Sequence, residues 1–259
     1  MKPIFETEIT KISDGKRVVK KDIVVAEIKL DIVLNNKKIA SLMATPVDQE
    51  ALCIGYLKAE NIIKDINDVK NIKLTNDGMS VEIEAISDKK NIEKLNSEGV
   101  VVSGCGRGIS ANINPDTIEA KVIKSNFYIE SDMLLEAMGK FYTECPLYEE
   151  TGCVHTAKLY VDERTYFIGE DIAQHNTIDK AVGKAILKKV DVSNSFLMVS
   201  GRLSSEMVAK AVMHGIPILA SRTASTCLGV KIAEKFGLTL IGFVRGNRMN
   251  IYRNPQRII

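Results

Sequence analysis

Three features are missing from this sequence, and each absence excludes a class of protein. The charges nearly cancel, because 35 basic and 33 acidic residues leave a net charge of +2, so no global field favours nucleic acid or a membrane surface as a partner. The five cysteines are odd in number and include no C-x-x-C pair, which fits a reducing compartment and argues against the usual zinc spacings. No apolar run reaches the roughly 18 residues that span a bilayer, and the first residues contain no signal-peptide core. We therefore expect a soluble cytoplasmic protein with neither nucleic acid nor membrane among its partners.

The apolar content is 45% of 259 residues, enough for one large core or two modest ones. The first part has an α+β pattern, with hairpins around Asn35-Asn36 and around residues 76–78. Between them, Thr45 suits the N-cap of a helix and Pro46 its first position.

From Ser131 onwards the pattern changes to alternating strands and helices, which predicts a sheet that is at least partly parallel. We expect an α/β fold with a smaller α+β domain at residues 1–120 and a mixed sheet with flanking helices at 121–259. The elements predicted in this second part are a helix from Ser131 that Cys145-Pro146 ends, strands at 154–161 and 165–168, a helix at 176–188, a strand at 196–199, a helix at 204–214, a strand at 216–220, a helix at 225–236 and a strand at 238–243.

An apolar run that begins at Val100 leads into a glycine-rich stretch around Cys105, and Arg107 follows it. Glycines let the backbone approach an anion or a thiolate closely, and a nearby positive charge favours the nucleophilic thiolate. The alternative is a buried cysteine that acts as a small hydrophobe, since free cysteine is among the most buried residue types. The glycine context makes Cys105 the candidate catalytic residue.

Each of the last three predicted strands is followed by arginine together with a glycine, hydroxyl or amide. Ligands of such sheets bind beyond the carboxyl ends of the strands, near helix N-termini. Because arginine binds phosphate bidentately and keeps its charge, this pattern favours a ligand with several phosphates, such as a nucleotide or a pyrophosphate-linked cofactor. The residues concerned are Ser200, Gly201, Arg202, Ser221, Arg222, Thr223, Val244, Arg245, Gly246, Asn247 and Arg248.

Two of the three histidines, His155 and His175, lie near strand ends beside polar and glycine residues, so they are further candidates for the site. Either one can equally be a histidine that only satisfies backbone groups. His214 precedes a glycine at a predicted helix C-terminus, where the helix dipole favours a cation, which indicates a structural role. Glu170-Asp171 is open to three interpretations: a general acid and base pair, an orienting partner for His175, or a partner of an arginine.

The stretch His155-Thr156-Ala157 is like the start of a zinc deaminase motif, H-x-E followed by P-C-x-x-C. Ala157 stands where the glutamate would be, and no cysteine pair follows. We therefore expect no metal in the site.

Several separated motifs, in the right order over nearly the whole chain, resemble the formate dehydrogenase accessory sulfurtransferases (FdhD). They are Thr45-Pro46, Gly55-Tyr-Leu57, Thr151-Gly-x-x-His-x-Ala157, Gly169-Glu-Asp-x-x-x-His-Asn-x-x-Asp-Lys180, Ser200-Gly-Arg-Leu-Ser-Ser-Glu-Met-Val-Ala-Lys210, Gly215-Ile-Pro-Ile-Leu, Gly237-Leu-Thr-Leu-Ile-Gly-Phe-Val-Arg-Gly-Asn-Arg248 and Asn250-Ile-Tyr252.

This resemblance implies a dimeric protein that takes sulfur from a cysteine desulfurase as a persulfide. It then passes the sulfur to a molybdenum (or tungsten) bis-molybdopterin guanine dinucleotide cofactor destined for formate dehydrogenase. It also implies a C-terminal domain like that of cytidine deaminase, Cys105 as the persulfide carrier and Phe243 to Arg248 as a cofactor-binding segment, with a guanine nucleotide as a surrogate ligand. Gly108 occupies the position of the family's second cysteine, so Cys153, Cys145 or no thiol takes its part.

Two rival functions are compatible with the same residues. A chaperone would hold the cofactor or a guanine nucleotide without chemistry, in which case the thiol of Cys105 would be inert. A hydrolase or deaminase acting on a nucleotide is disfavoured, because the zinc ligands and the glutamate of that chemistry are absent.

Overall fold

The computed structural model describes residues 1–97, 102–103 and 115–259. Within them the chain forms seven α-helices, a two-stranded ribbon, a five-stranded sheet and a six-stranded sheet. The helices are α1 (Gln49–Ala59), α2 (Lys89–Ser97), α3 (Ser131–Gly139), α4 (Pro146–Thr151), α5 (Gln174–Leu187), α6 (Ser205–Met213) and α7 (Cys227–Phe236). The strands are β1 (Ile4–Ser13), β2 (Lys16–Val25), β3 (Ile28–Leu34), β4 (Lys37–Ala44), β5 (Val69–Thr75), β6 (Ser80–Ala85), β7 (Val102–Ser103), β8 (His155–Tyr160), β9 (Tyr166–Asp171), β10 (Phe196–Val199), β11 (Ile218–Ser221), β12 (Thr239–Arg245) and β13 (Arg248–Arg253).

The five-stranded sheet has the order β5-β6-β3-β4-β7 and is covered on one face by α1. Alternate residues of β3 are buried against that helix, as period-two side-chain alternation requires. The hairpins predicted from Asn35-Asn36 and from residues 76–78 are confirmed as the antiparallel pairs β3–β4 and β5–β6. Strand β7 runs parallel to β4, so both strands leave the sheet at the same end.

The six-stranded sheet has the order β13-β12-β11-β10-β8-β9. Its strands β10, β11 and β12 are parallel to one another and the others are antiparallel, so the predicted mixed sheet is confirmed. Helices α5, α6 and α7 bury one face, and α3 with the segment after it buries the other. This three-layer arrangement places the carboxyl ends of three neighbouring strands at one edge.

Helices α1 and α5 cross at very short distance and join the two large sheets. A Cβ atom placed on Gly55 would lie 2.0 Å from the carbonyl oxygen of Asp179, and one placed on Gly183 would lie 1.9 Å from that of Ala51. Each helix therefore presents a glycine where the other helix's backbone passes, which explains Gly55 in the motif Gly55-Tyr-Leu57. The domain boundary between residues 120 and 121 stays a prediction.

The structure corrects the sequence interpretation at several element boundaries. Thr45 does not cap α1, which begins at Gln49 after Asp48 in the left-handed region. Pro146 does not end the helix from Ser131, which stops at Gly139; it begins α4 instead, since proline suits the first helical position.

Two strand pairs were missed, the ribbon β1–β2 and the pairing of β13 with β12. The signal for the ribbon was present in Asp14-Gly15, both of which have positive φ in the turn, the conformation that Asp-Gly favours in a hairpin.

Candidate functional site

The loops that follow β10, β11 and β12 lie side by side at one edge of the six-stranded sheet. The three strands are parallel neighbours, with Val199 opposite Ser221 in the register. Strand β8 is antiparallel to β10, so its first residue, His155, lies at the same edge. Strand β9 ends there too, where Asp171 is the cross-strand neighbour of His155.

Hydrogen bonds connect these loops in the order of the strands. The hydroxyl oxygen of Ser200 accepts from the backbone N–H of Thr156 at 3.0 Å and lies 3.2 Å from Nδ1 of His155. The hydroxyl of Ser221 donates to the carbonyl oxygen of Gly201 at 2.7 Å. The predicted site residues Ser200 and His155 are therefore in direct contact.

The third loop is tied to the second by two backbone acceptors. The backbone N–H of Phe243 donates to the carbonyl of Thr223 at 3.1 Å, and Nε of Arg245 donates to the carbonyl of Arg222 at 2.8 Å. Phe243 has φ of +52°, which is strained for a bulky side chain and is held here by these contacts. The predicted cofactor-binding segment, Phe243 to Arg248, therefore begins with a backbone that hydrogen bonds hold in place.

The rest of that segment turns outward. Val244 is fully buried, whereas the residues after it are exposed. Gly246 has φ of +55° and forms the tight turn with Asn247 between β12 and β13, so Arg245 and Arg248 lie opposite each other in the register. The two arginines thus flank the same turn.

We name the four arginines of this edge the strand-end arginines: Arg202, Arg222, Arg245 and Arg248. Arg222 is half-buried and the other three are exposed. Two of them lie against aromatic rings, Arg222 at 5.5 Å from the ring centre of Tyr142 and Arg245 at 5.6 Å from that of Phe243.

Two other arginines near this sheet, Arg253 and Arg257, have polar partners that can be compared with those of the strand-end arginines. Arg253 pairs with Glu234 at 3.3 Å, and the buried Arg257 donates to the carbonyl of Gly237 and the hydroxyl of Thr239. In the described part of the chain, no carboxylate forms an ion pair with any strand-end arginine. Their charge is thus available to an anionic ligand.

The two candidate histidines both lie at this edge, but in different surroundings. Burial, with a smaller contribution from the charge of His175, lowers the pKa of His155 below its ordinary 6.5, so His155 is neutral at pH 7. His175 forms an ion pair with Glu206 in the first turn of α6. One histidine can therefore donate or accept as a neutral ring, while the other is tied to a carboxylate.

The N-termini of α6 and α7, which follow β10 and β11, differ in the charge around them. Ser204 caps α6 by accepting from the N–H of Met207, and the acidic Glu206 follows in the first turn. Thr226 caps α7 by accepting from the N–H of Gly229, and the first turn of α7 contains no acidic residue. Since a carboxylate at a helix N-terminus repels an anion, the α7 side of the edge suits phosphate better.

Both carboxylates of the motif Gly169-Glu-Asp have structural roles, which the sequence alone did not decide. The carboxylate of Glu170 accepts from the backbone N–H groups of Leu147 and Tyr148 at 3.1 and 2.7 Å, so it holds the first turn of α4. The carboxylate of Asp171 lies 2.6 Å from Nζ of Lys180. Neither carboxylate contacts His175 or a strand-end arginine.

Asp171 belongs to a buried group that we name the central polar network, consisting of Thr45, Asp171, Asn176 and Lys180. Asp171 accepts from the N–H of Thr45 at 3.0 Å and from Nδ2 of Asn176 at 2.9 Å. Nζ of Lys180 also donates to the carbonyl of Thr45 at 3.0 Å. All four residues are at most 2% exposed, so this network fastens the end of β4 to the site edge.

His214 is structural, as expected, but it is not a cation. Its ring is buried beside Asp179, with Nε2 at 3.4 Å from Oδ1 of that carboxylate. Burial lowers its pKa, because the desolvation cost of the charged ring exceeds the favourable effect of the carboxylate.

The cysteines of the described residues are either buried or exposed. Cys105 lies outside the described residues, as do Arg107 and Gly108. Cys145 is buried, its thiol donates to the carbonyl of Phe141, and burial raises its pKa to about 11. Cys153 is exposed and precedes β8 by two residues, and Cys227 is exposed at the start of α7. Of the two thiols considered as a second cysteine, only Cys153 is accessible.

Sequence reasoning missed one residue of the edge, Tyr142, whose ring lies against Arg222. It falls within the helix predicted from Ser131 to Cys145, and no local signal marks a ring that faces an arginine far along the chain. Within residues 1–97, 102–103 and 115–259, no three histidine, cysteine, aspartate or glutamate side chains gather in an arrangement that would hold a metal ion. None of the helices in the described part of the chain has the length and apolar character that crossing a bilayer requires.

Comparisons with known proteins agree on one family. The model of the FdhD/NarQ family matches residues 25–259. The chain is 42% identical over 237 residues to the sulfur carrier protein FdhD of Wolinella succinogenes, covering 92% of this chain and 82% of that one. It is 34% identical to the sulfur carrier protein FdhD of Sulfolobus acidocaldarius over 98% of both chains.

A solved structure shares the fold. The crystal structure of a putative formate dehydrogenase accessory protein from Desulfotalea psychrophila superposes with a TM-score of 0.83 at 26% identity and covers all of both chains. With the family model and the curated relatives, this similarity extends over both sheets and the edge described above. The chain belongs to the FdhD/NarQ family.

Proposed function

We propose that this protein is a sulfur carrier for formate dehydrogenase. It takes persulfide sulfur from a cysteine desulfurase on Cys105 and passes it to a molybdenum (or tungsten) bis-molybdopterin guanine dinucleotide cofactor bound at the strand-end arginines. The proposal extends to a cytoplasmic location and a homodimer. The observation that carries it is the row of four arginines without carboxylate partners in the described chain, at adjacent strand ends of a family whose curated relatives are named sulfur carriers.

The arrangement of the arginines supports a ligand with several phosphates. Arg222 and Arg245 are linked through the carbonyl of Arg222, and Arg248 faces Arg245 across the turn. Charge-assisted hydrogen bonds from guanidinium to phosphate are among the strongest in proteins, and bidentate geometry adds specificity. A cofactor with two dinucleotide arms presents four phosphates, which matches a broad cationic edge better than a single pocket.

The path of the chain supports delivery from Cys105 to the same edge. Strands β4 and β7 are parallel and leave the five-stranded sheet at the same end, and β7 ends at Ser103, two positions before Cys105 in the sequence. At that end Thr45 is bound to Asp171, the cross-strand neighbour of His155. Ser103, the last described residue before Cys105 in the sequence, thus lies toward the end of the sheet at which Thr45 contacts the site edge.

Loading is a thiol exchange. The thiolate of Cys105 attacks the outer sulfur of the desulfurase persulfide, the S–S bond of the donor breaks, and the desulfurase cysteine leaves as its thiolate. Delivery breaks the new S–S bond and returns the Cys105 thiolate, with two electrons from the reduced metal of the acceptor converting the sulfur to sulfide. Gly108 offers no local second thiol, so the persulfide persists until the acceptor takes it.

The test is the intact mass of the protein after incubation with a cysteine desulfurase and cysteine. We expect the native chain to gain one sulfur atom, reversibly with a reductant, and Cys105→Ala to gain none. Cys227→Ala removes another exposed thiol and serves as the matched control, with a gain like that of the native chain. Cys153→Ala tests whether the accessible thiol of Cys153 takes part in the sulfur gain.

A parallel binding measurement with GDP separates loading from cofactor binding. We expect Cys105→Ala to bind GDP as the native protein does, because the arginines and the thiol have different tasks. No sulfur gain on the native chain, with GDP still bound, would overturn the carrier function and leave a chaperone that holds the cofactor without chemistry. No GDP binding by the native chain would overturn the assignment of the site edge.

A further inference from the structure

An aromatic stack lies beside the strand-end arginines and outside every motif of the sequence. Tyr142 follows the end of α3, and its ring stacks on that of Tyr148 in α4 with centres 4.3 Å apart and an angle of 27° between the planes. The buried Phe141 packs edge-on against the same ring at 5.0 Å. The ring of Tyr142 is therefore fixed from two directions.

The stack is anchored to the sheet through the first turn of α4. Glu170 at the end of β9 accepts from the backbone N–H of Tyr148 at 2.7 Å and from that of Leu147 at 3.1 Å. This carboxylate sets the start of α4 and with it the position of the Tyr148 ring. A continuous series of contacts thus runs from the Gly169-Glu-Asp motif to Tyr142.

The guanidinium of Arg222 lies over the ring of Tyr142, 5.5 Å from its centre. A cation over an aromatic face is attracted by the electrons of the ring, and the attraction grows when the pair is partly desolvated, as the half-buried Arg222 is. A ring restrains the cation without neutralising it, unlike a carboxylate, so a phosphate has no ion pair to displace. Arg222 is thereby held in place while its charge stays available.

We propose that Tyr142 is a positioning residue that holds Arg222 toward the phosphates of the bound cofactor. This inference rests on the proposed function of the strand-end arginines. Arg245, which is linked to Arg222 by a hydrogen bond, lies in the same way against the ring of Phe243, a residue of the segment already assigned to binding. Tyr142 supplies the corresponding ring for Arg222 from a different layer of the fold.

The experiment measures the dissociation constant for GDP with four single variants and one double variant besides the native chain. Tyr142→Leu removes the ring face but keeps an apolar side chain against Phe141, and we expect binding about fivefold weaker. Tyr142→Phe keeps the ring and should bind like the native protein. Tyr128→Leu makes the same change at an exposed tyrosine and is the matched control.

The fourth variant, Arg222→Ala, decides between positioning and general structural support. Alone it should weaken binding about tenfold or more, because a charge-assisted contact is lost. Adding Tyr142→Leu to it should have no further effect, since the ring then has no cation to hold. Thermal unfolding of each variant verifies that the fold is intact.

Three outcomes would overturn the inference while leaving the proposed function standing: unchanged binding in Tyr142→Leu, a loss in Tyr142→Phe, or a full additional loss when Tyr142→Leu is added to Arg222→Ala. The last would show that Tyr142 supports the edge as a whole. Failure of the native protein to bind GDP would instead remove the proposed assignment of the site edge, and this inference with it.

Discussion

The central polar network and the strand-end arginines both contain charged side chains, but the two groups use their charge in opposite ways. In the network Lys180 and Asp171 are fully buried, and each is satisfied by partners from both halves of the chain. At the edge, three arginines are exposed and one is half-buried, and none has a carboxylate partner within the described residues. The network and three of the four strand-end arginines lie within the motifs that identify the family, so motif membership alone does not separate a structural charge from a binding charge.

The degree of burial and the presence of a partner do separate a structural charge from a binding charge. A charge taken out of water requires a partner and further hydrogen bonds, so it contributes to one fixed arrangement of the chain. A charge left in water without a partner contributes little to stability and remains free to bind an anion. The two groups should therefore respond oppositely to substitution, in stability for the network and in binding for the edge.

The largest effect is expected from Lys180→Met, which leaves the carboxylate of Asp171 buried without its cation. Breaking one partner of a buried pair costs about 3–5 kcal/mol of unfolding free energy, measurable by urea denaturation. Arg248→Ala at the exposed edge is the counterpart and should change stability by less than about 0.5 kcal/mol while weakening GDP binding.

A double variant tests whether the buried charge is the cause. Asp171→Asn together with Lys180→Met removes both charges, so we expect it to be less destabilised than the two single variants combined. Equal stability of Lys180→Met and the native chain would show that the network is dispensable, and the contrast with the edge would collapse.

The second-largest effect on stability is expected at the crossing of α1 with α5, the helix that contains Asn176 and Lys180 of the network. Gly55→Ala places a Cβ 2.0 Å from the carbonyl oxygen of Asp179, so α1 and α5 must move apart, at a cost of about 1–3 kcal/mol. Gly139→Ala makes the same change at the exposed end of α3, where no atom lies within 4 Å, and should stabilise by up to about 0.5–1 kcal/mol. Opposite signs in thermal or urea unfolding would confirm close packing as the reason for Gly55, and equal effects would contradict it.

Much of the framework could be predicted because its signals are local. The β3–β4 hairpin is indicated by alternation around Asn35-Asn36, the ends of α6 and α7 by Ser204 and Gly237, and the binding edge by the few residues after each parallel strand. The arginines were identifiable for the same reason, since the rule for parallel sheets needs only the strand and the loop at its carboxyl end.

The missing parts depend on contacts between distant segments. The N–H of Thr45 reaches a carboxylate 126 positions away, and nothing near Thr45 distinguishes that role from a helix cap. Tyr142 similarly has the spacing of a helix-core residue, and its actual neighbour Arg222 is brought to it by the sheet. Partner identity is decided by tertiary packing, which local patterns do not encode.

The smallest expected effect is a change in how stability depends on pH, caused by a buried histidine outside both groups. The pKa of the buried His214 is lowered from its ordinary 6.5 by desolvation, against the attraction of Asp179 and with a further lowering by Lys210 and Lys58. Below pH 6.5 the unfolded chain therefore binds a proton that the folded ring does not, so the free energy of unfolding falls as the pH is lowered from 6.5 toward the folded pKa.

In His214→Asn this contribution is absent, so the slope of stability against pH between 6.5 and 5 should be shallower than in the native chain, by at most about 1.4 kcal/mol per pH unit for one proton. His155, whose pKa is also lowered by burial, adds a slope of the same sign that both proteins share, so the difference between them isolates His214. GDP binding at pH 7 should be equal in the two proteins, because His214 lies at the C-terminal end of α6 beside Asp179 of α5 and contacts no strand-end arginine. Identical pH slopes would mean that His214 has the same pKa in the folded and the unfolded chain, and a difference of the opposite sign would mean that folding favours the charged ring, as the helix dipole alone predicts.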